Sequence, residues 1–335
     1  MRVRLALAIA VALLMTACAG AGRTVSPALF APVTPTPTTA APAAPAPATP
    51  GCTEGTAGTV VESTPPPATM PAPGHMPAGT FMAAIAGRGR LVVGTSPDQL
   101  LFGYVNPVNN RVEGLDADLL REVAIAIFGG NPADPATADP HIEFVTMTVA
   151  QRIPEVSGGQ VDVVGDTMTI TCARRRQVDF SSEYYDAGQR VLVEDNSKAQ
   201  SIDQLGGKRV CSAAGSTSID NLRLVPSHPI PYPVPDQSDC LVLLQQGQVD
   251  AISTDDTVLA GLAAQDPYTR VAGPRFTDEP YGMAISLAHP ELTGFVNGVL
   301  AQLRASGQLA ALYGTWLGAA FAHVLPPVPA ARYRA

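Results

Sequence analysis

The chain of 335 residues has little charge and few aromatic residues, and these shortages exclude several classes of function. Charged residues make up 15% of the chain, and the 29 acidic residues outnumber the 21 basic ones, which gives a formal net charge of −8. This acidic excess argues against a nucleic-acid-binding protein and against binding to an anionic membrane surface through a basic patch. The five cysteines show no CxxC and no His–Cys spacing, so we predict no metal site and no cofactor.

Sequence signatures of common enzymes are also missing. No GxSxG nucleophile motif occurs, and none of the five histidines lies near the motifs described below. Gly87-Arg88-Gly89 precedes a predicted strand, whereas a dinucleotide-binding loop follows its strand, so we do not interpret it as a nucleotide site. The sequence therefore favours binding over catalysis.

The first 17 residues have the pattern of a signal peptide. Arg2 and Arg4 precede an apolar stretch at residues 5–14, which is too short to span a membrane. The sequence Met15-Thr16-Ala17-Cys18 resembles a bacterial lipobox, which implies that the mature chain begins at a lipid-modified Cys18 on the outer face of the cell membrane. The alternative is an ordinary secretory signal followed by an incidental cysteine.

Residues 18–79 are rich in Pro, Ala and Thr and contain few large apolar side chains. Such a segment cannot bury enough surface to offset the entropy lost on ordering, and its prolines favour extended conformers. We therefore predict a tether that separates the folded part from the membrane. Residues 326–335, which are also rich in Pro and Ala, are predicted to be an unstructured tail.

Strand and helix patterns alternate from residue 90 onward. Short apolar strands at residues 90–95, 141–146 and 161–164 are separated by helices at residues 116–128 and 149–156, and Asp116 is a candidate N-cap of the first helix. This alternation predicts a parallel α/β sheet, in which ligands bind at the carboxyl ends of the strands.

The same arrangement is repeated further along the chain. Residues 208–211 and 249–253 are predicted strands, and the dipeptide Val-Asp begins a strand in each half of the protein. The Pro-rich residues 226–235 are predicted to be irregular. Residues 281–286 are expected to return to the first sheet, before a helix at residues 290–316 that is broken at Gly307.

One stretch, residues 161–181, joins a buried strand to a polar segment and a basic turn. Thr167 and Thr169 lie at the predicted strand end, and Arg174 follows them. Hydroxyl groups, backbone N–H groups and a guanidinium fork are suited to binding a small carboxylate. The alternative is a strand and helix whose basic face is simply exposed to solvent.

This stretch resembles the signature of the family 3 extracellular solute-binding proteins, which bind polar amino acids. The family pattern T-x-T-x-x-R followed by DFS occurs from Thr169 to Ser181, GLDADL resembles a second family motif, and residues 297–317 resemble the closing helix. The resemblance covers residues 90–317. Within the family, the sequence is most similar to the mycobacterial glutamine-binding-type lipoproteins.

The resemblance implies an α/β fold of the type II periplasmic-binding-protein class, with two lobes arranged as a clamshell and joined by two hinge crossings. Residues 80–187 and 280–325 would form the first lobe, and residues 188–279 the second. The crossings are expected near residues 187–190 and 278–281.

The family motif also implies the ligand-binding residues. Arg174 would bind the α-carboxylate with help from Thr169, Ser216 and Thr217, and Thr167 would lie near the same atoms.

For the ammonium group the motif implies Asp255, although the neighbouring Asp256 is an alternative for this role or for a helix cap. Arg152 would bind a side-chain carboxylate, which favours Glu or Asp as ligand and also allows Gln or Asn. The alternative places Arg152 on a solvated helix surface.

By resemblance, the protein would deliver its amino acid to the permease of an ABC importer. Two alternatives remain open. In the first, a membrane sensor recognises the closed form of the protein and signals to a Ser/Thr kinase. In the second, the protein is a periplasmic dehydratase. This hypothesis is disfavoured because Ala173 stands where an acidic residue often precedes the motif Arg.

Four cysteines remain after Cys18, an even number in an oxidising compartment. Similar proteins pair the cysteines that correspond to Cys211 and Cys240. Cys52 and Cys172 would then be the remaining pair, and free buried thiols are the alternative.

Overall fold

The protein is described by a computed structural model that covers residues 61–334. The predictions made for the signal peptide, for Cys18 and Cys52 and for most of the tether lie outside these residues. Within residues 61–334, no helix combines the length and the apolar character that crossing a membrane requires.

Short helices and strands alternate through residues 61–334. The α-helices are α1 (Phe81–Arg88), α2 (Leu115–Phe128), α3 (Arg152–Ser157), α4 (Cys172–Arg175), α5 (Thr217–Asn221), α6 (Gln237–Gln245), α7 (Asp256–Gln265), α8 (Pro290–Ser306) and α9 (Gln308–Leu317). The strands are β1 (Leu91–Thr95), β2 (Asp98–Gln99), β3 (Gly103–Asn106), β4 (Arg111–Glu113), β5 (Ile142–Thr146), β6 (Val163–Val164), β7 (Val178–Phe180), β8 (Tyr185–Ala187), β9 (Gln189–Glu194), β10 (Arg209–Ala213), β11 (Ile230–Val234), β12 (Ala251–Asp255), β13 (Thr269–Ala272), β14 (Glu279–Tyr281) and β15 (Ala284–Ser286).

The first lobe is built on a sheet with the strand order β5-β1-β6-β15-β7. β1 runs parallel to β5 and β6, whereas β15 is antiparallel to its neighbours β6 and β7. The expected return of residues 281–286 to this sheet is therefore confirmed through β15.

The second lobe has a sheet with the order β11-β10-β12-β9-β13. The prediction that residues 226–235 are irregular is wrong, because Ile230–Val234 forms β11, paired in parallel with β10. Pro231 and Pro233 are compatible with this strand because β11 lies at the sheet edge, where a missing N–H need not break a ladder.

Two strands join the lobes. β8 and β14 pair antiparallel, with Tyr185 opposite Tyr281 and Ala187 opposite Glu279. The chain thus leaves the first lobe through β8 and returns through β14, which confirms a two-lobed fold with two crossings.

The core of the first lobe is formed where α8 and α9 pack against α2. Leu119, Phe295 and Tyr313 are almost completely buried there. The predicted break is confirmed at Gly307, whose φ of 79° ends α8 before α9 begins. A positive φ of this kind favours glycine over other residues.

Two segments that were predicted to be unstructured pack on the first lobe instead. Ser63 forms a parallel bridge with Tyr333, and Arg334 pairs with Asp179 over 3.1 Å. Ser63 Oγ also donates to Phe180 O over 2.6 Å and accepts from Asn297 Nδ2 over 2.7 Å. We call residues 61–65 and 332–334 the clasp. Composition did not predict it because backbone and polar groups hold it, together with a single buried apolar side chain, that of Val61.

Candidate ligand-binding site

A small cavity of about 20 Å³ lies between the two lobes. Its walls come from the carboxyl ends of strands in both sheets and from the helices that follow. The lining residues are Gln99, Val149, Arg152, Thr167, Ala213, Ser216, Ser218, Gln237, Thr254, Asp255 and Val258. Two larger depressions, of about 280 and 400 Å³, each lie within a single lobe and contain none of the predicted ligand residues.

Arg174 is held at the end of α4 and bridges the lobes. Thr171 caps α4 and accepts from the Arg174 backbone N–H over 3.1 Å. The guanidinium donates to Thr169 O over 2.8 Å in its own lobe and to Gly215 O over 3.3 Å in the other. Its side chain is buried, and burial followed by the nearby charge of Arg152 lowers its pKa to about 9. The group therefore stays positive at neutral pH.

Arg152 is the first residue of α3 and lines the cavity. It is 4% exposed, so the alternative of a solvated surface residue is wrong. Its guanidinium donates to Asp166 O over 2.7 Å and to Val149 O over 3.1 Å. The Asp166 carboxylate lies 3.9 Å away, and burial raises the pKa of Asp166 to about 6. Arg152 thus brings a buried guanidinium to the cavity wall, which favours an anion there, whereas Arg174 bridges the lobes and is not among the residues that line the cavity.

Asp255 is the last residue of β12. Among the described residues that line the cavity, it is the only one with a carboxylate side chain. Its Oδ2 accepts from the Tyr281 hydroxyl over 2.7 Å, and Oδ1 accepts no hydrogen bond from residues 61–334. Burial, with Glu279 as the next contributor, raises the pKa of Asp255 well above its usual value. A carboxylate in this situation is stabilised by a cation that reaches Oδ1.

Asp256 has a different environment. Its carboxylate pairs with Arg275 over 2.7 Å and accepts from the Gly188 backbone N–H over 3.3 Å. Because Asp256 is already neutralised by Arg275, Asp255 is the better candidate for binding a ligand ammonium.

The four predicted hydroxyl residues fall into two groups. Thr167 and Ser216 line the cavity, whereas Thr169 and Thr217 meet each other across the cleft, with 3.3 Å between their hydroxyl oxygens. Ser216 also caps α5 by accepting from Ile219 N over 3.1 Å.

Thr167 is held in an unusual backbone conformation with a φ of 42°. Its N–H donates to Asp116 Oδ2 over 2.7 Å, and its hydroxyl donates to Gln99 Oε1. The prediction that Asp116 caps α2 is wrong, because Gly114 occupies the cap position and the Asp116 carboxylate instead supports Thr167. Strained conformations of this kind are often retained at ligand sites.

Sequence reasoning missed several residues of the cavity wall, notably Gln99 and Gln237. Gln99 lies on the short strand β2 and belongs to none of the motifs described above. Gln237 carries no motif, and its position depends on where α6 begins.

The predicted disulfide between Cys211 and Cys240 is confirmed, with a Cα–Cα distance of 5.5 Å. It links β10 to α6, two elements that contribute to the cavity wall. Cys172 is buried and disulfide-bonded, and because Cys52 lies outside the described residues, the pairing of these two cysteines stays a prediction.

Comparisons with known proteins give matches over most of the described residues. The family model of bacterial extracellular solute-binding proteins, family 3, matches residues 91–319. An ABC transporter glutamine-binding protein of Bacillus subtilis (strain 168) is 33% identical over 237 residues, which cover 70% of this chain and 84% of that protein. A glutamate-binding protein of Corynebacterium efficiens is 32% identical over 247 residues, which cover 71% and 82%.

Solved structures show the same fold. An ancestral arginine-binding protein bound to glutamine aligns with a TM-score of 0.62 and 32% identity, over 69% of this chain and 99% of that one. The solute receptor for L-cysteine of Neisseria gonorrhoeae aligns with a TM-score of 0.65 and 25% identity, over 73% and 97%.

Proposed function

The chain belongs to the bacterial extracellular solute-binding proteins of family 3, and from this membership we propose that it binds a polar amino acid outside the cytoplasm. We propose Glu or Asp as the preferred ligand and Gln or Asn as weaker ones. The observation that carries the proposal is the charge arrangement of the cleft: the buried Arg152 lines the same cavity as Asp255, whose Oδ1 accepts no hydrogen bond from residues 61–334, and the charge of the buried Arg174 also acts on Asp255.

Each charged group of a free amino acid has a partner in this arrangement. Arg174 would bind the α-carboxylate, with Thr169, Thr167 and the loop at Ser216 and Thr217 supplying further donors. The free Oδ1 of Asp255 would accept from the ammonium.

The positive charge of Arg152 is the basis of the proposed preference for acidic ligands. Arg152 is buried, and it lines the same cavity as Asp255. Arg152 is already paired with the Asp166 carboxylate at 3.9 Å, and a second carboxylate on the ligand would give the guanidinium a further anionic partner.

We propose that the lobes close around the ligand and that the membrane partner recognises the closed form. Residues 80–187 with 280–325 would move as one lobe and residues 188–279 as the other. The contacts made by Arg174 with Gly215 and by Thr169 with Thr217 join the lobes, so opening would break them. Delivery to an ABC importer fits the name of the Bacillus relative. We also propose that a lipid attached at Cys18 anchors the protein to the membrane. The protein is proposed to bind its ligand without catalysing a reaction on it.

Titration calorimetry of residues 61–335 with Glu, Asp, Gln and Asn tests the proposal. We expect saturable binding, strongest for Glu or Asp. Stronger binding of Gln would contradict the role given to Arg152, and failure of all four to bind would contradict the ligand class.

A further inference from the structure

The first turn of α6 belongs to the second lobe but reaches into the cleft. Gln237, the first residue of this helix, is 4% exposed and lines the same cavity as Arg152 and Asp255. Neither the family signature nor the charge argument assigns a role to it.

The orientation of the Gln237 amide is fixed by one hydrogen bond. Its Oε1 accepts from the Ala213 backbone N–H over 3.1 Å, and because a backbone N–H can only donate, the oxygen must face Ala213. The Nε2 group is therefore the free end. It is buried and has no acceptor among residues 61–334. Buried donors are nearly always paired, so this group indicates a missing acceptor.

The start of α6 is capped from the opposite lobe. Asp236 occupies the N-cap position, yet its side chain makes no capping hydrogen bond. The cap is supplied by Asp98 of the first lobe, whose Oδ2 accepts from Ser238 N over 2.8 Å. Asp98 is itself oriented by the Ser96 hydroxyl, which donates to Oδ1. A carboxylate at a helix N-terminus satisfies a free N–H and the helix dipole together.

We propose that Gln237 is a ligand-binding residue that donates Nε2–H to an oxygen of the ligand side chain, and that Asp98 is a positioning residue that holds Gln237 there. This inference rests on the proposed function and narrows it. An amide N–H needs an acceptor, so it selects carboxylate or carboxamide side chains and disfavours cationic ones such as Arg or Lys.

The capping bond also makes Asp98 sensitive to lobe movement. Asp98 and Ser238 lie on different lobes, so their hydrogen bond exists only when the lobes are close. In an open form, Asp236 is the residue in position to cap its own helix. Asp98 thus stabilises the closed form. Asp236 competes with Asp98 as the cap of α6.

Gln237→Ala and Gln237→Glu test the binding role by calorimetry with Glu and Gln. Loss of one hydrogen bond to a ligand oxygen should weaken binding of both ligands about 10-fold or more in the Ala variant. The Glu variant replaces a donor with an anion, so Glu should lose much more affinity than Gln. Unchanged affinities in both variants would overturn the assignment of Gln237. Absence of binding by the unmodified protein would instead overturn the proposed function.

Asp98→Ala, Asp98→Asn and Asp236→Ala test the positioning role by stopped-flow kinetics. In the Asp98→Ala variant the dissociation rate should rise about 5-fold, the equivalent of one lost helix cap, with the melting temperature of the ligand-free protein unchanged. Asn also accepts at an N-cap, so Asp98→Asn should restore most of the slow dissociation. Asp236→Ala should not accelerate dissociation. Equal effects of Asp98→Ala and Asp236→Ala would overturn the role of Asp98.

Discussion

The Tyr281 hydroxyl donates to Asp255 Oδ2 over 2.7 Å, which joins the candidate ammonium-binding carboxylate to a strand that crosses between the lobes. Tyr281 is fully buried, and its hydroxyl also lies 2.9 Å from that of Thr257. One carboxylate oxygen is thus fixed by the hinge region, and the other is left for a ligand. The charge of Asp255 is the property on which binding should depend most directly.

Binding of Gln should become stronger as the pH rises. Burial, with Glu279 as a further contributor, raises the pKa of Asp255 in the ligand-free protein, while Arg174 opposes this effect. Below that raised pKa the carboxyl is protonated, so binding of the ligand ammonium must release a proton. Affinity should therefore increase with pH, by up to about 10-fold per unit where a full proton is released.

Calorimetry with Gln between pH 5 and 7.5, in buffers of different ionisation enthalpy, measures this proton release. Gln is used because its side chain does not titrate. Asp166→Asn is the control, since Asp166 lies beside Arg152. It should keep the pH dependence. A constant affinity, or one that falls with rising pH, would contradict the role of Asp255.

Arg174→Ala should abolish detectable binding. The ligand carboxylate would be buried without its cation, and breaking a buried ion pair costs about 3–5 kcal/mol. The neighbouring Arg176, which is exposed, provides a matched control. Arg176→Ala should bind normally, and near-normal binding by the Arg174 variant would refute the carboxylate assignment.

Arg152→Met should change selectivity more than overall affinity. Without the guanidinium, Glu and Asp lose a partner for the side-chain carboxylate, whereas Gln and Asn lose at most a hydrogen bond. Calorimetry with the four ligands measures the ratio. Because Arg152 also donates to Asp166 O, thermal unfolding of the variant is needed to establish that it remains folded. Equal losses for all four ligands would place Arg152 outside the side-chain pocket.

Removal of the Cys211–Cys240 disulfide by Ser substitution should destabilise the second lobe. The bond closes a loop with a sequence separation of 29. On the chain-entropy model a loop of this size contributes about 3–4 kcal/mol. Urea unfolding of the double variant should show this loss, and addition of a reductant should destabilise the unmodified protein more than the double variant, which keeps the disulfide of Cys172. No difference between the two proteins would show that the bond contributes little.

Asn297→Ala should loosen the clasp. Asn297 Nδ2 donates to Ser63 Oγ over 2.7 Å and to Thr64 O over 2.6 Å, and its Oδ1 accepts from Ser182 N over 2.6 Å. Removal of this buried amide leaves several groups unpaired, at a cost of about 1–3 kcal/mol for each buried group.

Urea unfolding measures that loss of stability, and proteolysis near residue 61 reports release of the segment. Arg334→Ala is the comparison, because Arg334 is partly exposed and an ion pair at the surface contributes less than about 1 kcal/mol. Equal effects of the two substitutions would contradict the central role of Asn297.

Local sequence was sufficient where a structural feature depends on neighbouring residues. The motif that contains Thr169 and Arg174 predicted their proximity, which the hydrogen bond from the Arg174 guanidinium to Thr169 O confirms, while their roles toward a ligand stay predictions. The position of Asp255 at the end of a strand was predicted in the same way and is confirmed by β12. The break at Gly307 also follows from one residue and its conformation.

Features that join distant parts of the chain could not be predicted in this way. The cap that Asp98 gives to α6 links residues 140 positions apart. The orientation of the Gln237 amide depends on its hydrogen bond with Ala213 N. The formation of β11, despite its two prolines, depends on its position at the sheet edge. In the clasp, polar groups from the two ends of the described chain meet at Asp179, and no pattern in either segment records that contact.

The clasp also determines where probes of lobe movement can be placed. Arg334 N donates to Ser63 O over 2.8 Å, so positions 63 and 334 are adjacent on one lobe. Ser63 is buried, so fluorophores attached at the exposed positions 65 and 334 would keep a fixed separation and serve as an internal reference. A short peptide could connect position 334 to position 63, and the chain could then be opened at the exposed Gly206-Gly207 turn. The resulting circular permutant would carry its new ends on the other lobe, where a fused reporter would follow opening and closing.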